Sequence, residues 1–320
     1  MAAVKECAEL LLGWDDILVL SHASPDGDTL GSAAALLRAL ESLGKKAAFR
    51  CSDPVHRKYD YLFEGLKLQC QPEEAKYVVS VDVADPALLG KLRPEYENIV
   101  DMAIDHHGTH VPFGKVEWVE GHAAANCQLI YKLILEMGLS IDRKRADCLY
   151  TGISTDTGCF KYSNATGETH RIAADLIDLG ADSAEINRVM FDTKTRAALE
   201  AERLVMNDIE FYGEGKIAVI AQSKDILERT GAEESDLEAL PAMARSIEGV
   251  ILGLTFKEKE GGVWKASVRA TLPADASAIC RKFGGGGHRG AAGCSFDGEL
   301  ENAKKLLVTE CERYLEEMSL

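Results

Sequence analysis

The sequence predicts an α/β protein with two domains: a mostly parallel sheet flanked by helices, joined by a helix to a smaller α/β domain. Three observations carry this. Short, continuously apolar runs alternate with helical patterns through the first half, as strands buried on both faces of a parallel sheet do. Strand signals return after residue 209, behind a helix-like stretch with no Pro-rich or Gly/Ser-rich linker. The length of 320 residues exceeds the roughly 100–200 of a usual domain.

The first strand is Ile17-Leu18-Val19-Leu20, which runs into the loop from Ser21 to Thr29 and an Ala/Leu-rich helix over 30–43. Further strands are expected at 47–49, 77–83 and 99–104. Helical patterns follow over 124–137, 143–153, 167–179, 183–191 and 195–209. The second domain reads as strands at 217–222, 250–256 and 263–271, a helix at 274–283, a strand near 294–296 and a terminal helix at 300–318. The expected division is therefore 1–194 for the first domain, 195–210 for a connecting helix and 211–320 for the second.

Composition narrows the function. With 46% hydrophobic and 28% charged residues, the chain matches an ordinary globular protein and excludes collagen-like, mucin-like and disordered classes. No apolar run approaches the ~20 residues of a membrane span, and Lys5, Glu6 and Glu9 interrupt the N-terminal apolar stretch, so a cytoplasmic location is expected. Nine cysteines (Cys7, Cys51, Cys70, Cys127, Cys148, Cys159, Cys280, Cys294 and Cys311) include no C-x-x-C pair. That disfavours a disulfide framework and a thiolate zinc site. The net charge of −16 argues against a long basic groove, because affinity for long nucleic acid comes from neutralising many phosphates. A short anionic substrate held at a few points remains allowed.

The chemistry-bearing residues fall where parallel sheets collect ligands, at the carboxyl ends of strands. Ser21-His22-Ala23-Ser24-Pro25-Asp26-Gly27-Asp28 places an imidazole and two carboxylates in one turn after the first strand. Taken alone, Asp28 reads equally well as a helix N-cap. Asp82 ends a second apolar strand, Asp105-His106-His107 ends a third, and Asp156 lies where Gly152 and Gly158 bracket an expected polar turn. Together His22, Asp26, Asp28, Asp82, His106 and Asp156 are hard oxygen donors with two imidazoles, which suit Mn²⁺ first and Mg²⁺ second. Six donors suit two ions ~3.5–4 Å apart sharing a bridging carboxylate. Asp82 is the expected bridge, since its strand lies between the other donors. His56, His110, His122 and His170 fall outside this pattern and are expected to be surface or structural.

A second segment, Phe283-Gly284-Gly285-Gly286-Gly287-His288-Arg289-Gly290, carries four successive glycines. Such a run suits a loop whose main chain approaches something closely, with backbone N–H groups cradling phosphate and His288 as an added donor. A flexible surface loop is the plainer alternative. Between Phe256 and Phe296, Lys257, Lys259, Lys265, Arg269, Arg281, Lys282 and Arg289 outnumber Glu258, Glu260 and Asp275, a basic island in an acidic chain. Arg269 stands on an expected strand and points either into a cleft or to solvent.

In this order, the His22 to Asp28 loop, Asp82, Asp105-His106-His107, the Asp156 turn and the glycine run ending in His288 resemble the DHH/DHHA1 phosphoesterase family. The likeness is in particular to its stand-alone nanoRNase (oligoribonuclease)/pAp phosphatase and pApA/cyclic-dinucleotide phosphodiesterase branch. The resemblance runs over nearly the whole chain, with no departure at a ligand position. It implies a hydrolase with two manganese ions in a DHH domain and a DHHA1 domain closing over the nucleotide across a cleft. One ion would take His22, Asp26 and Asp82, and the other Asp28, Asp82, His106 and Asp156. His107 would face the scissile phosphate, and Asp105 would orient the histidines. Arg269, Gly284, Gly285, Gly286, Gly287 and His288 would hold the far phosphate. A homodimer is among the assemblies the resemblance allows.

The implied activity is cleavage of very short oligonucleotides to mononucleotides, dephosphorylation of 3′-phosphoadenosine 5′-phosphate (pAp) to AMP, or hydrolysis of pApA or cyclic dinucleotides. Three alternatives fit the residues less well. An inorganic pyrophosphatase or polyphosphatase of the same superfamily lacks the glycine run and His288. A RecJ-like exonuclease needs a long basic path. A silent nucleotide sensor would have lost metal ligands.

Overall fold

The structure, a computed structural model, describes residues 3–66 and 72–319. Cys70 lies outside the described residues. The chain divides into two compact units, Met1–Thr193 and Lys194–Leu320.

In chain order, the first unit contains α1 (Val4–Gly13), β1 (Ile17–Leu20), α2 (Gly27–Ser42), β2 (Ala47–Arg50) and the short α3 (Asp60–Phe63). There follow β3 (Tyr77–Val81), the short α4 (Arg93–Tyr96), β4 (Met102–Asp105) and β5 (Val116–Val119). The helices α5 (Asn126–Glu136), α6 (Arg143–Asp156), α7 (Gly167–Asp178) and α8 (Ser183–Asn187) complete it. Its five strands are all parallel, in the order β2-β1-β3-β4-β5. Alternate residues feed two cores: Ile17 and Val19 of β1 pack with the large helices, while Leu18 and Leu20 pack with Leu89, Leu92 and Tyr96. Both faces are thus buried, which explains the uninterrupted apolar runs. Connections leave β1 and β3 towards opposite sides, so the sheet has a switch point between the carboxyl ends of these strands, where open α/β sheets bind ligands.

Among the boundaries that differ from expectation, two helix limits bear on the site, each for a local reason. The helix expected from residue 30 begins at Gly27, because the Asp26 carboxylate accepts from the N–H groups of Asp28 and Thr29 and caps it early. The helix expected to end at 153 continues to Asp156, so Asp156 lies on the last turn of α6 and not in a glycine-bracketed turn. Gly152 is inside that helix, where it lets α6 approach α2. A Cβ at Gly152 would stand 2.3 Å from Cys127 Sγ and 2.6 Å from Asp28 Oδ1.

The second unit opens with α9 (Arg196–Asn207), β6 (Glu210–Tyr212), β7 (Ile217–Gln222), α10 (Lys224–Thr230) and α11 (Leu240–Arg245). It continues with β8 (Leu252–Glu258), β9 (Val263–Ala270), α12 (Ala276–Arg281), β10 (Gly286–His288), β11 (Ala291–Asp297) and α13 (Leu300–Glu317). The strand order is β10-β11-β9-β8-β7-β6, antiparallel except between β7 and β8. On one face Ala198, Ala201 and Val205 of α9 pack with Ala218 and Ile220 of β7. On the other, residues of α12 and α13 such as Ile279, Leu307 and Cys311 pack with Leu254, Phe256 and Val268.

The glycine run is not one open loop. Gly286 and Gly287 lie in β10, paired with Gly293 and Ala292. A Cβ at Gly285 would stand 2.1 Å from the Gly293 carbonyl oxygen, and one at Gly287 2.6 Å from that of Ala291. These two glycines therefore serve the close packing of the hairpin. Gly286 has open space where a side chain would be.

Candidate metal centre and active site

Five of the six expected donors come from the ends of three adjacent strands, β1, β3 and β4, and from the start of α2. His22 follows β1, Asp26 and Asp28 open α2, Asp82 follows β3, and His106 follows β4. Asp156 arrives on α6, and the Thr29 hydroxyl ties α2 to β3 by donating to the Val81 carbonyl at 3.1 Å. The donor atoms of His22, Asp26 and Asp82 lie within 4.8 Å of one another, as do those of Asp28, His106 and Asp156. Asp82 also groups with His106 and His107 on this measure.

Asp82 stands at the centre. His22 Nε2 is 3.7 Å from its Oδ2, and His106 Nε2 is 3.4 Å from its Oδ1. Its backbone adopts φ +59°, a left-handed conformation unusual for a residue with a Cβ. That kink ends β3 at Val81, two residues before the end expected from hydrophobicity, and turns the carboxylate into the switch point. Asp82 Oδ1 is buried and accepts no hydrogen bond. A buried, unsatisfied carboxylate oxygen costs free energy unless a charge balances it.

Both imidazoles are held with Nε2 towards the acids. His22 Nδ1 lies 2.8 Å from the Ala23 carbonyl, and His106 Nδ1 lies 3.1 Å from the Ala123 carbonyl. Carbonyls only accept, so each Nδ1 carries the proton, the arrangement usual for histidines that ligate through Nε2. Asp28 has a second duty. Its carboxylate accepts from the N–H of Asn126 at 2.5 Å and of Cys127 at 2.9 Å, capping α5, whose own N-cap residue Ala125 offers no side-chain bond.

The acids crowd one another. Burial, then the charge of Asp82, push the Asp28 carboxyl up to about 7. Burial and the charge of Asp28 likewise raise Asp156 well above the usual range. Asp82 moves the other way: burial opposes ionisation, but His106 and His22 hold its carboxyl well below the usual value. For His22, burial disfavours the cation, and Asp26 and Asp82 more than offset it, so this imidazole is raised well above its ordinary value. Hard carboxylate oxygens, two outward Nε2 atoms and one orphaned Oδ1 fit divalent cations, whose charge would relieve this crowding.

Asp105 is fully buried and does not point into the donor cluster. Its Oδ1 accepts from the His106 N–H at 2.9 Å and from His107 Nδ1 at 2.8 Å, and its Oδ2 accepts from His110 Nδ1 at 2.6 Å. His110, grouped from sequence with three surface or structural histidines, is a buried link to Glu117, whose Oε2 lies 2.8 Å from its Nε2. Sequence reading gave His110 no place beside the site and did not name Glu117. Glu117 sits on β5, a four-residue strand with one fully buried position, too short to register as a pattern.

In the second unit, Arg269 pairs with Ala291 across β9 and β11, and Ala291 pairs with His288 across β11 and β10. Arg269 and His288 therefore share one face of the sheet, their backbones about 10 Å apart across one intervening strand. Gly286 and Gly293 lie one pleat further along the same face.

Comparisons with known proteins agree with this layout. Residues 16–153 match the DHH family, N-terminal domain, and residues 215–317 match the DHHA1 domain. The chain is 33% identical over 294 residues to the bifunctional oligoribonuclease and PAP phosphatase NrnA of Thermus thermophilus, covering 90% of this chain and 86% of that protein. It is 28% identical over 287 residues to the protein of that name from Bacillus subtilis, covering 88% and 90%. The crystal structure of an exopolyphosphatase-related protein from Bacteroides fragilis superposes with a TM-score of 0.89 at 24% identity, covering 99% of this chain and 98% of that one. RecJ from Thermus thermophilus in complex with Mn²⁺ superposes at 0.57 and 18% identity over 97% of this chain and 54% of its own. These two likenesses concern the fold.

Two α/β units, the first gathering acids and imidazoles at the switch point of a parallel sheet, define a hydrolase acting on phosphate esters. More narrowly, the chain belongs to the DHH family of phosphoesterases and carries the DHHA1 domain behind its DHH domain.

Proposed function

We propose that this phosphoesterase is a manganese-dependent cytoplasmic enzyme that degrades very short oligonucleotides to mononucleotides and converts pAp to AMP. The observation that carries the reading is the pair of donor sets meeting at Asp82, with its buried Oδ1 left without a hydrogen bond. The names of the two bacterial relatives support the substrate class. His22, Asp26 and Asp82 would hold one ion, and Asp28, Asp82, His106 and Asp156 the other. When bound, such a pair activates water and stabilises the oxygens of an in-line phosphoryl displacement.

The chain's own residues do the rest. Asp105 takes the Nδ1 proton of His107 in a hydrogen bond and so fixes the ring and its tautomer. His107, with 27% of its side chain exposed against 10% for His106, is the histidine of the pair more open to a substrate phosphate. Arg269 and His288, separated by one strand on an open sheet face, bind the far phosphate, with Gly284 and Gly286, which have open space where a side chain would be, letting its oxygens approach the main chain. Gly285 and Gly287, expected to share that role, pack the hairpin instead.

The test is the purified protein with Mn²⁺ against pAp, pApA, a cyclic dinucleotide, RNA and DNA dimers, a 24-mer and pyrophosphate, with products separated by ion-exchange chromatography. Turnover concentrated on pAp and the dimers is expected. Turnover on pyrophosphate alone, or equal kcat/KM for dimer and 24-mer, overturns the reading.

A further inference from the structure

The hydrogen bonds around Asp105 do not stop at the histidines of the Asp105-His106-His107 segment. They continue as a line: Glu117 to His110, His110 to Asp105, Asp105 to His107. The far end is itself fixed, because Glu117 Oε1 accepts from the backbone N–H groups of Phe113 and Gly114 at 2.7 and 2.5 Å. Gly114 is needed there: a Cβ would stand 2.9 Å from the Ala103 nitrogen of β4. The loop between β4 and β5 is thereby clamped onto the sheet with Glu117 Oε2 aimed at His110. Side-chain exposure falls from 15% at Glu117 to 5% at His110 and 0% at Asp105, then rises to 27% at His107. Only the His107 end of the line opens outward.

We infer that His110, braced by Glu117, is a positioning residue that locks the Asp105 carboxylate in the orientation presenting His107 to substrate. This rests on the assignment of His107 to the scissile phosphate. The need for a lock is visible in the geometry. His107 Nδ1 lies 2.8 Å from Asp105 Oδ1 but also 3.6 Å from Asp82 Oδ1. If Asp105 could turn, His107 would have a second carboxylate within reach, and a small rotation would both misplace His107 and occupy Asp82. His110 holds Oδ2, so the carboxylate cannot turn without breaking a buried bond between charged groups. Stability alone does not call for such a line, since buried ionic groups are often replaceable by apolar ones of similar volume without loss. A reacting group needs its orientation held, and partners that orient site residues are typically worth about 10- to 100-fold in activity.

The experiment compares full-length wild type with His110→Ala, His110→Asn, Glu117→Gln and His107→Ala, assayed with Mn²⁺ on one RNA dinucleotide. Asparagine places an amide N–H near the position of Nδ1 and can still donate to Asp105. Expected are a fall in kcat of about 10- to 100-fold for His110→Ala with KM changed less than about threefold, recovery of most of that loss in His110→Asn, and an intermediate value for Glu117→Gln. A second readout avoids turnover: in ¹⁵N-histidine-labelled protein, the hydrogen-bonded His107 Nδ1–H resonance should be lost or shifted in His110→Ala and retained in His110→Asn. Equal loss of kcat in the alanine and asparagine variants, tracking only their melting temperatures, overturns the inference. So does an unchanged His107 resonance in His110→Ala. If His107→Ala keeps wild-type kcat, the assignment of His107 itself fails. If His107→Ala is impaired while His110→Ala is not, only the positioning role fails.

Discussion

Asp82 and His22 differ in how much each holds together, and their variants should differ accordingly. Asp82 belongs to both donor sets, while His22 belongs to one. Asp82→Ala should lower kcat by about 10³-fold or more, near 4 kcal/mol of transition-state stabilisation, and His22→Ala by about 10- to 100-fold. Wild-type turnover of Asp82→Ala at micromolar Mn²⁺ would remove the shared-carboxylate reading. His110 supplies a pH dependence. Burial lowers the affinity of His110 for a proton, but Asp105 and Glu117 outweigh it and raise its pKa to about 9 from 6.5. A raised histidine stabilises the fold fully below the unfolded value and loses that contribution as pH rises through the folded one. The gap in melting temperature between wild type and His110→Asn should therefore be widest near pH 6 and close towards pH 10. A gap that widens with pH contradicts the ion pairing.

Elements were legible where burial imposed a simple pattern. The run Ile17 to Leu20 is buried throughout, and its limits are those read from the sequence. Strand β5, with Trp118 alone buried, and the glycine strand β10, exposed along its length, offered no such pattern and were missed. The end of α6 was misread because glycine normally signals a break. Gly152 instead buys closeness between α6 and α2. Adding a methyl group there would press on Cys127 and Asp28 together. Gly152→Ala should cost about 1–3 kcal/mol in urea unfolding and weaken divalent-cation binding by calorimetry. Gly13→Ala, at the end of α1 with open space around it, should do neither. Equal behaviour of the two variants would show that the helix contact does not support the site. Five of the six proposed donors were legible as strand-end or loop residues, whereas Asp156, read in a turn, lies at the end of α6. The tautomer of His106 and the cap that Asp28 gives α5 were not legible, because they depend on backbone groups brought in from Ala123 and Asn126. Nor was the link through His110, because Glu117 lies on a strand too short to show a pattern.

At the scale of the whole molecule, charge should limit the length of the substrate. A chain of −16 with one basic stretch cannot follow many phosphates, since affinity for a long strand grows with the number neutralised. kcat/KM should fall steadily beyond a handful of nucleotides. Arg269→Ala or His288→Ala should raise KM for pAp by about tenfold or more, roughly the value of a charge-assisted hydrogen bond, yet leave bis-p-nitrophenyl phosphate, which has no far phosphate, nearly unaffected. Equal loss on both substrates would place these residues outside phosphate recognition. After chelation, Mn²⁺ should restore more activity than Zn²⁺, because the donors are mainly carboxylates; activity restored by zinc alone reverses that preference. The caps described above also bear on how such an enzyme could decay over evolutionary time. Asp26 starts α2 and Asp28 starts α5, so discarding either acid injures folding as well as chemistry. His22 and His106 spend their inner nitrogens on single carbonyls and anchor no helix. A lineage drifting from catalysis towards mere nucleotide binding should therefore shed its histidines first and keep these two aspartates as fossils of the lost reaction.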